Sequence, residues 1–131
     1  MEYICARLRR GDDLRERIEA LAREHHLKAG ALVSAVGCVS RARIRDAGGV
    51  DIRDIGEDCE IVSLTGTVSE ARCHLHLSLA RRDLCMLGVH QSYGCVINTT
   101  CELVIARLDG WEFGVEQDGE TGYDEILFHR V

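Results

Sequence analysis

Three of the six histidines in this 131-residue chain, His74, His76 and His90, lie within the stretch CHLHLSLARRDLCMLGVH. Neutral imidazole is the commonest metal-binding side chain, and three rings at about 2.0–2.1 Å suit zinc or a similar divalent metal ion. Three protein ligands leave one coordination position open for water or a small ligand, so such a centre is not a closed structural cage.

Whether the rings meet depends on strand geometry. Alternate side chains of a strand share a face, so Cys73, Leu75, Leu77 and Leu79 point to one side and His74, His76 and Ser78 to the other. A hairpin loop of Arg81, Arg82 and Asp83 would set Ala80 opposite Leu84, His74 opposite His90 and His76 opposite Gly88. His76 and His90 would then be diagonal neighbours roughly 7 Å apart. The same register puts Cys85 against Leu79 on the core side. A loop one residue shorter would send His90 to the opposite face. A solvated strand face also tolerates His-x-His, so the spacing leaves open both a metal site and wet histidines.

Other candidates carry less chemistry. Arg41, Arg43 and Arg45 alternate in SRARIRD, a basic stripe that suits an anion but equally a solvated face or salt bridges. Tyr123, Asp124 and Glu125 in GETGYDE offer an acid or base, although turn formation accounts for the same residues. His25 and His26 are expected at the surface in the last turn of a helix, where imidazolium suits the helix dipole. From Asp109 to Glu125 there are seven acidic residues and no Lys or Arg, which reads as a solvated hairpin. No Ser-His-Asp or Cys-His constellation and no phosphate loop can be placed by spacing.

The elements that must position these groups follow from periodicity. GDDLRERIEALAREHHLKAG carries Leu14, Ile18, Leu21 and Ala22 at helical spacing, with Asp13 and Glu16 resembling a capping box and an end near Gly30. Beyond it, ALVSAVGCVSRARIRDA, CEIVSLTGTVS, CHLHLSLA, LCMLGVH, CVINTTCELVIARL, WEFGV and EILFHRV read as strands. With no proline, the turns rely on Gly, Asn and Asp. The expected fold is α+β, a mainly antiparallel β-sheet with one principal α-helix packed on it, forming a single domain over residues 1–131.

Composition narrows the function classes. A net charge of -6 opposes a surface that attracts polyanions throughout, and no apolar run reaches the ~20 residues of a membrane span. The N-terminal residues lack the pattern of a secretory signal, so a cytoplasmic location is expected. Seven cysteines, an odd number without a Cys-x-x-Cys pair and set among aliphatic residues, are expected to be buried reduced thiols.

Taken in order, GDDLRERIEALAREHHLKAG, SAVGCVSRARIR, EIVSLTGTVSE, HLHLSLA, GVH and ETGYDEI resemble the plant-and-prokaryote-conserved (PPC) domain in its stand-alone prokaryotic form, from about Arg10 to about Leu127. The resemblance implies a compact α+β homotrimer. It also implies a zinc-like metal on the matching positions His74, His76 and His90. Prokaryotic relatives often carry a DNA-binding label, while the AT-hook of the plant forms has no counterpart here, Arg-Gly-Arg-Pro being absent. The resulting expectation is a trimeric metal-binding module that holds a small anionic ligand at the open coordination position. Its alternatives are a DNA-binding regulator and a zinc-dependent enzyme with Glu125 or Glu60 as base.

Overall fold

The computed structural model describes residues 1–131. One helix, α1 (Leu14–Glu24), follows a first strand, β1 (Tyr3–Arg9), and the rest of the chain is strand: β2 (Gly30–Arg45), β3 (Ile52–Ile55), β4 (Cys59–Val68), β5 (Cys73–Ala80), β6 (Met86–Gln91), β7 (Val96–Arg107), β8 (Trp111–Gln117) and β9 (Asp124–Arg130). The fold is therefore dominated by antiparallel sheet, with a single short helix. The sequence pattern marks neither β1 nor β3: β1 is an edge strand of seven residues, and β3 has only four, too short to show alternation.

Helix α1 starts where Asp13 accepts the Glu16 N–H on its side chain, and it buries Leu14, Ile18, Leu21 and Ala22. It ends earlier than the sequence pattern implies. His25 caps it, and His26 turns left-handed at φ 47°, so both histidines lie exposed just beyond the last turn.

The main sheet runs β1-β7-β2-β4-β5-β6, with β3 paired to β2, and the far end of β2 also pairs with β6. The strands β2, β4, β5 and β6 thus form a closed circuit. The β2-β7 pairing is itself irregular. Opposite the Gly37–Cys38 step of β2, β7 carries an irregularity in which Thr99 adopts φ 57°. A Cβ on Gly37 would run into the Thr100 carbonyl oxygen, so only glycine allows the strands to approach there. Past this point β2 gradually leaves β7. Its last residues, Ala42–Arg45, pair with β3 on one side, while Ile44 meets Gln91 and Arg45 meets His90 on the other.

Inside the circuit sits the core: Leu75, Leu77 and Leu79 of β5 are almost fully buried with Leu64, Val68, Ile97, Leu103 and the α1 residues. Each such Leu removed from water contributes about 1.5–3 kcal/mol. In the separate β8-β9 hairpin Phe113 is buried, stacks edge-on against Phe128 and donates its N–H to the Lys28 carbonyl. The acidic stretch is this hairpin, as its composition implies.

All seven cysteines are free thiols. Cys59, Cys73, Cys95 and Cys101 are buried, and burial pushes the Cys101 thiol up to about 11. Cys5 and Cys85 are exposed, contrary to the expectation that all would be buried. Cys5 falls on the outer face of the edge strand and Cys85 just beyond a turn. No helix is long and apolar enough to cross a membrane.

Candidate metal centre

The β5-β6 hairpin has the anticipated three-residue loop, placed one residue later. The Arg81 N–H donates to the Cys85 carbonyl, and Arg82, Asp83 and Leu84 form the turn, with Leu84 at φ 69°. Asp83 stabilises this placement by accepting the Cys85 N–H on its side chain, a bond that lowers the Asp83 pKa. The ladder therefore pairs His76 with His90, Ser78 with Gly88, Leu79 with Leu87 and Ala80 with Met86. The expected pairs His74–His90, His76–Gly88 and Leu79–Cys85 do not form. Because the register moved by an even step, His90 keeps its face, and the convergence of the rings survives the correction.

His74, His76 and His90 sit with ring centroids 5.1, 5.3 and 5.8 Å apart. One ligand nitrogen from each lies within 4.8 Å of the others. Tetrahedral ligation at about 2.1 Å requires nitrogens about 3.4 Å apart, so modest ring rotations close the set around an ion. The residues present fit a divalent metal.

Neighbouring strands hold this face in place. On β4, Thr67 is opposite His74 and Thr65 opposite His76. Between them Gly66, at φ 154°, lacks the Cβ that would collide with the His74 carbonyl oxygen, which lets β4 lie close to the histidine strand. From α1, Arg15 donates to the Cys73 carbonyl at 2.7 Å and to the Gln91 carbonyl at 3.2 Å, tying β5 to β6 beside His74 and His90. Glu19 and the ring of Tyr93 hold Arg15 in turn. No periodicity in the sequence marks Arg15 for this role.

Burial holds His74 below the ordinary imidazole range, reinforced by Arg72 and His76, and pushes His90 down to about 4, with Arg45 next in effect. The two rings are therefore neutral at pH 7 and each carries a lone pair.

The arginine stripe divides. Arg41 Nη2 lies 3.0 Å and Arg43 Nε 3.3 Å from the Asp54 carboxylate on β3. Arg45 instead reaches the histidines, its Nη2 lying 3.3 Å from His90 Nδ1. In the GETGYDE segment, Asp118 accepts N–H groups from Glu120 and Thr121, which is turn chemistry. Beyond the turn Tyr123 comes over Arg45, with the guanidinium 6.0 Å from the ring centroid. Glu125 acts electrostatically on His74 and accepts the Thr121 hydroxyl. Glu60 is opposite Ala80, about 13 Å along the strand from the His76 level, and does not join the site.

Residues 1–109 match the Plants and Prokaryotes Conserved (PCC) domain. The chain belongs to that family. The match stops before the β8-β9 hairpin, within which the GETGYDE segment lies. Over 125 residues, 95% of the chain, the PCC domain is 37% identical to part of the bifunctional protein GlmU of Synechococcus sp.. It spans about 20% of that relative's length. Among solved structures, a hypothetical protein from Salmonella enterica superposes with a TM-score of 0.95 at 29% identity, over 98% of this chain and 94% of that one. A metal-containing protein from Archaeoglobus fulgidus superposes with a TM-score of 0.78 at 27% identity, over 100% and 94% of the two chains. A protein from Bacteroides thetaiotaomicron, provisionally named DNA-binding, shares the fold at 20% identity, with a TM-score of 0.86 over 98% and 93%.

Proposed function

We propose that this PCC domain is a metal-binding module in which His74, His76 and His90 hold one zinc-like divalent ion, leaving a coordination position for a small ligand. The observation that carries the reading is the convergence of three imidazole nitrogens within 4.8 Å on one sheet face. Two further points support it: burial keeps His74 and His90 unprotonated at neutral pH, and the structural relative from Archaeoglobus is described as metal-containing. When bound, the metal supplies a Lewis-acidic centre for an anionic or polar ligand. The chain's own residues orient the rings, through the Arg15 tie and the close approach at Gly66, and Thr65 and Thr67 border them.

The module is proposed to act as a homotrimer. Val33, Val36 and Val62 stay 56%, 58% and 47% exposed on β2 and β4, apolar surface that assembly would cover. Light scattering on the purified protein should give three chains per particle. The metal itself is tested by mass spectrometric metal analysis of untagged protein and of the His74→Ala, His76→Ala and His90→Ala variants. About one ion per chain, lost in each variant, is expected. A wild-type protein that stays metal-free after incubation with zinc refutes the reading.

A second reading, a DNA-binding regulator, is favoured by the name given to the Bacteroides relative. The Asp54 partnership of Arg41 and Arg43 weighs against it, because it engages two cations of the basic stripe. Binding through phosphates weakens steeply with salt, so the absence of a complex with duplex DNA at low salt removes this reading. A zinc-dependent enzyme acting on a small substrate is the third, with Glu125, whose charge reaches His74, as its base.

A further inference from the structure

The geometry points to Arg45 as the anion-binding half of the histidine site, holding a small oxyanion at the position the three imidazoles leave open. This inference rests on the metal reading and adds the chemical class of the ligand and the residue that selects it.

Arg45 arrives from β2 directly opposite His90 of β6, so its side chain shares the histidine face. The two lie in one cleft of about 320 Å³, lined also by His74, His76, Asp46 and Gly49. Of the two arginines nearest the rings by charge, Arg72 is turned to the Asp124 carbonyl, which leaves Arg45 as the guanidinium in the cleft. It makes no ion pair. The one carboxylate lining the cleft, Asp46, is engaged by the Gly48 N–H at 2.9 Å and by Arg53 at 3.2 Å. Arg45 Nε is shielded from solvent with no hydrogen-bond partner, and its Nη2 has only the His90 Nδ1 contact. Tyr123 lies alongside the guanidinium, near Gly49.

That single contact cannot coexist with metal ligation by His90. If Nδ1 binds the ion, Arg45 loses its acceptor outright. If Nε2 binds, the neutral ring carries its hydrogen on Nδ1, and two donors then face each other. Either way, metal binding leaves a guanidinium without an acceptor beside a divalent cation in a partly buried cleft. Unpaired charge of one sign is costly there, and a carboxylate or phosphate oxygen relieves it, because the planar fork of Arg matches both. The site should therefore take up metal first and oxyanion second, each favouring the other.

The test uses the whole protein loaded with Co²⁺ in a non-coordinating, chloride-free buffer, with the visible absorption band reporting the metal environment. Inorganic phosphate and acetate are titrated separately into wild type and Arg45→Met, and the arms show which oxyanion class is preferred. The expected result is a saturable band shift in wild type with at least one probe. Arg45→Met should bind Co²⁺ at the same stoichiometry, with oxyanion affinity weaker by roughly tenfold or more. Arg45→Gln supplies the same comparison should the Met variant not fold. A wild-type band unmoved by either oxyanion, or equal oxyanion affinity in the variants, overturns the role of Arg45 while leaving the metal site standing. Failure of wild type to bind Co²⁺ overturns the metal reading and this inference with it.

Discussion

The two faces of β5 belong to the same eight residues and obey different physics. Leu75, Leu77 and Leu79 are at most 1% exposed and are locked by close packing. His74 and His76, between them, border open clefts where packing imposes nothing and polar contacts decide orientation. The inner face determines that the strand exists and where it lies. The outer face, freed from that duty, can be chosen for chemistry, and its precision is borrowed from the packed side beneath.

The contrast can be broken first from within. Leu77→Ala should destabilise the metal-free protein by about 2–5 kcal/mol in a denaturant titration, since it empties a fully enclosed site. The chains that remain folded should still bind one ion. His76→Ala reverses the pattern. Its metal-free stability should stay within about 1 kcal/mol of wild type, yet it should lose the zinc-induced stabilisation, about 2.7 kcal/mol for wild type at a free zinc concentration one hundred times Kd and read as a rise in melting temperature. Similar losses from both substitutions would show that the two faces are not separable.

Arg15→Met addresses the seam between the faces. It leaves the Cys73 and Gln91 carbonyls without their donor and should cost about 1–3 kcal/mol, with a several-fold loss in zinc affinity measured by competition with a chromophoric chelator. A loss of stability without any change in affinity would confine Arg15 to a structural role.

A further effect concerns protons. With the folded pKa of His90 down at about 4 against an ordinary 6.5, and that of His74 also lowered, the unfolded chain binds protons that the native state refuses. Stability of the metal-free protein is therefore complete above about pH 6.5 and declines as pH falls towards 4. Melting temperatures across that window should fall less steeply in His90→Ala. An equal slope in the variant would place the pH dependence elsewhere.

Much of this molecule was legible in its residues. The helical spacing of Leu14, Ile18 and Leu21 marks α1, and Asp13 caps it as its type predicts. The alternation in CHLHLSLA separates core from site, with every odd-numbered residue from Cys73 to Leu79 buried. Less legible was the turn. Its length was evident, whereas its position depended on the side chain of Asp83 accepting the Cys85 N–H, a local bond that displaced every cross-strand pair by an even step. β3 escaped notice because four residues carry too little pattern, and Arg15 because its partners are backbone carbonyls, which every residue has.

By itself the sequence determined which side chains share a face, because the two-residue period of a strand is a property of the backbone and needs no neighbour. It also determined that the histidine face would be polar and its reverse apolar. Only the tertiary structure decided that His90 lies opposite His76, that Arg41 and Arg43 are taken by Asp54, and that Arg45 ends beside the imidazoles. The last of these depends on β2 pairing with β6 beyond its β7 partner, which closes the strand circuit and brings together residues more than forty positions apart. Such a contact is specified by packing across the whole sheet, and no local pattern along the chain encodes it.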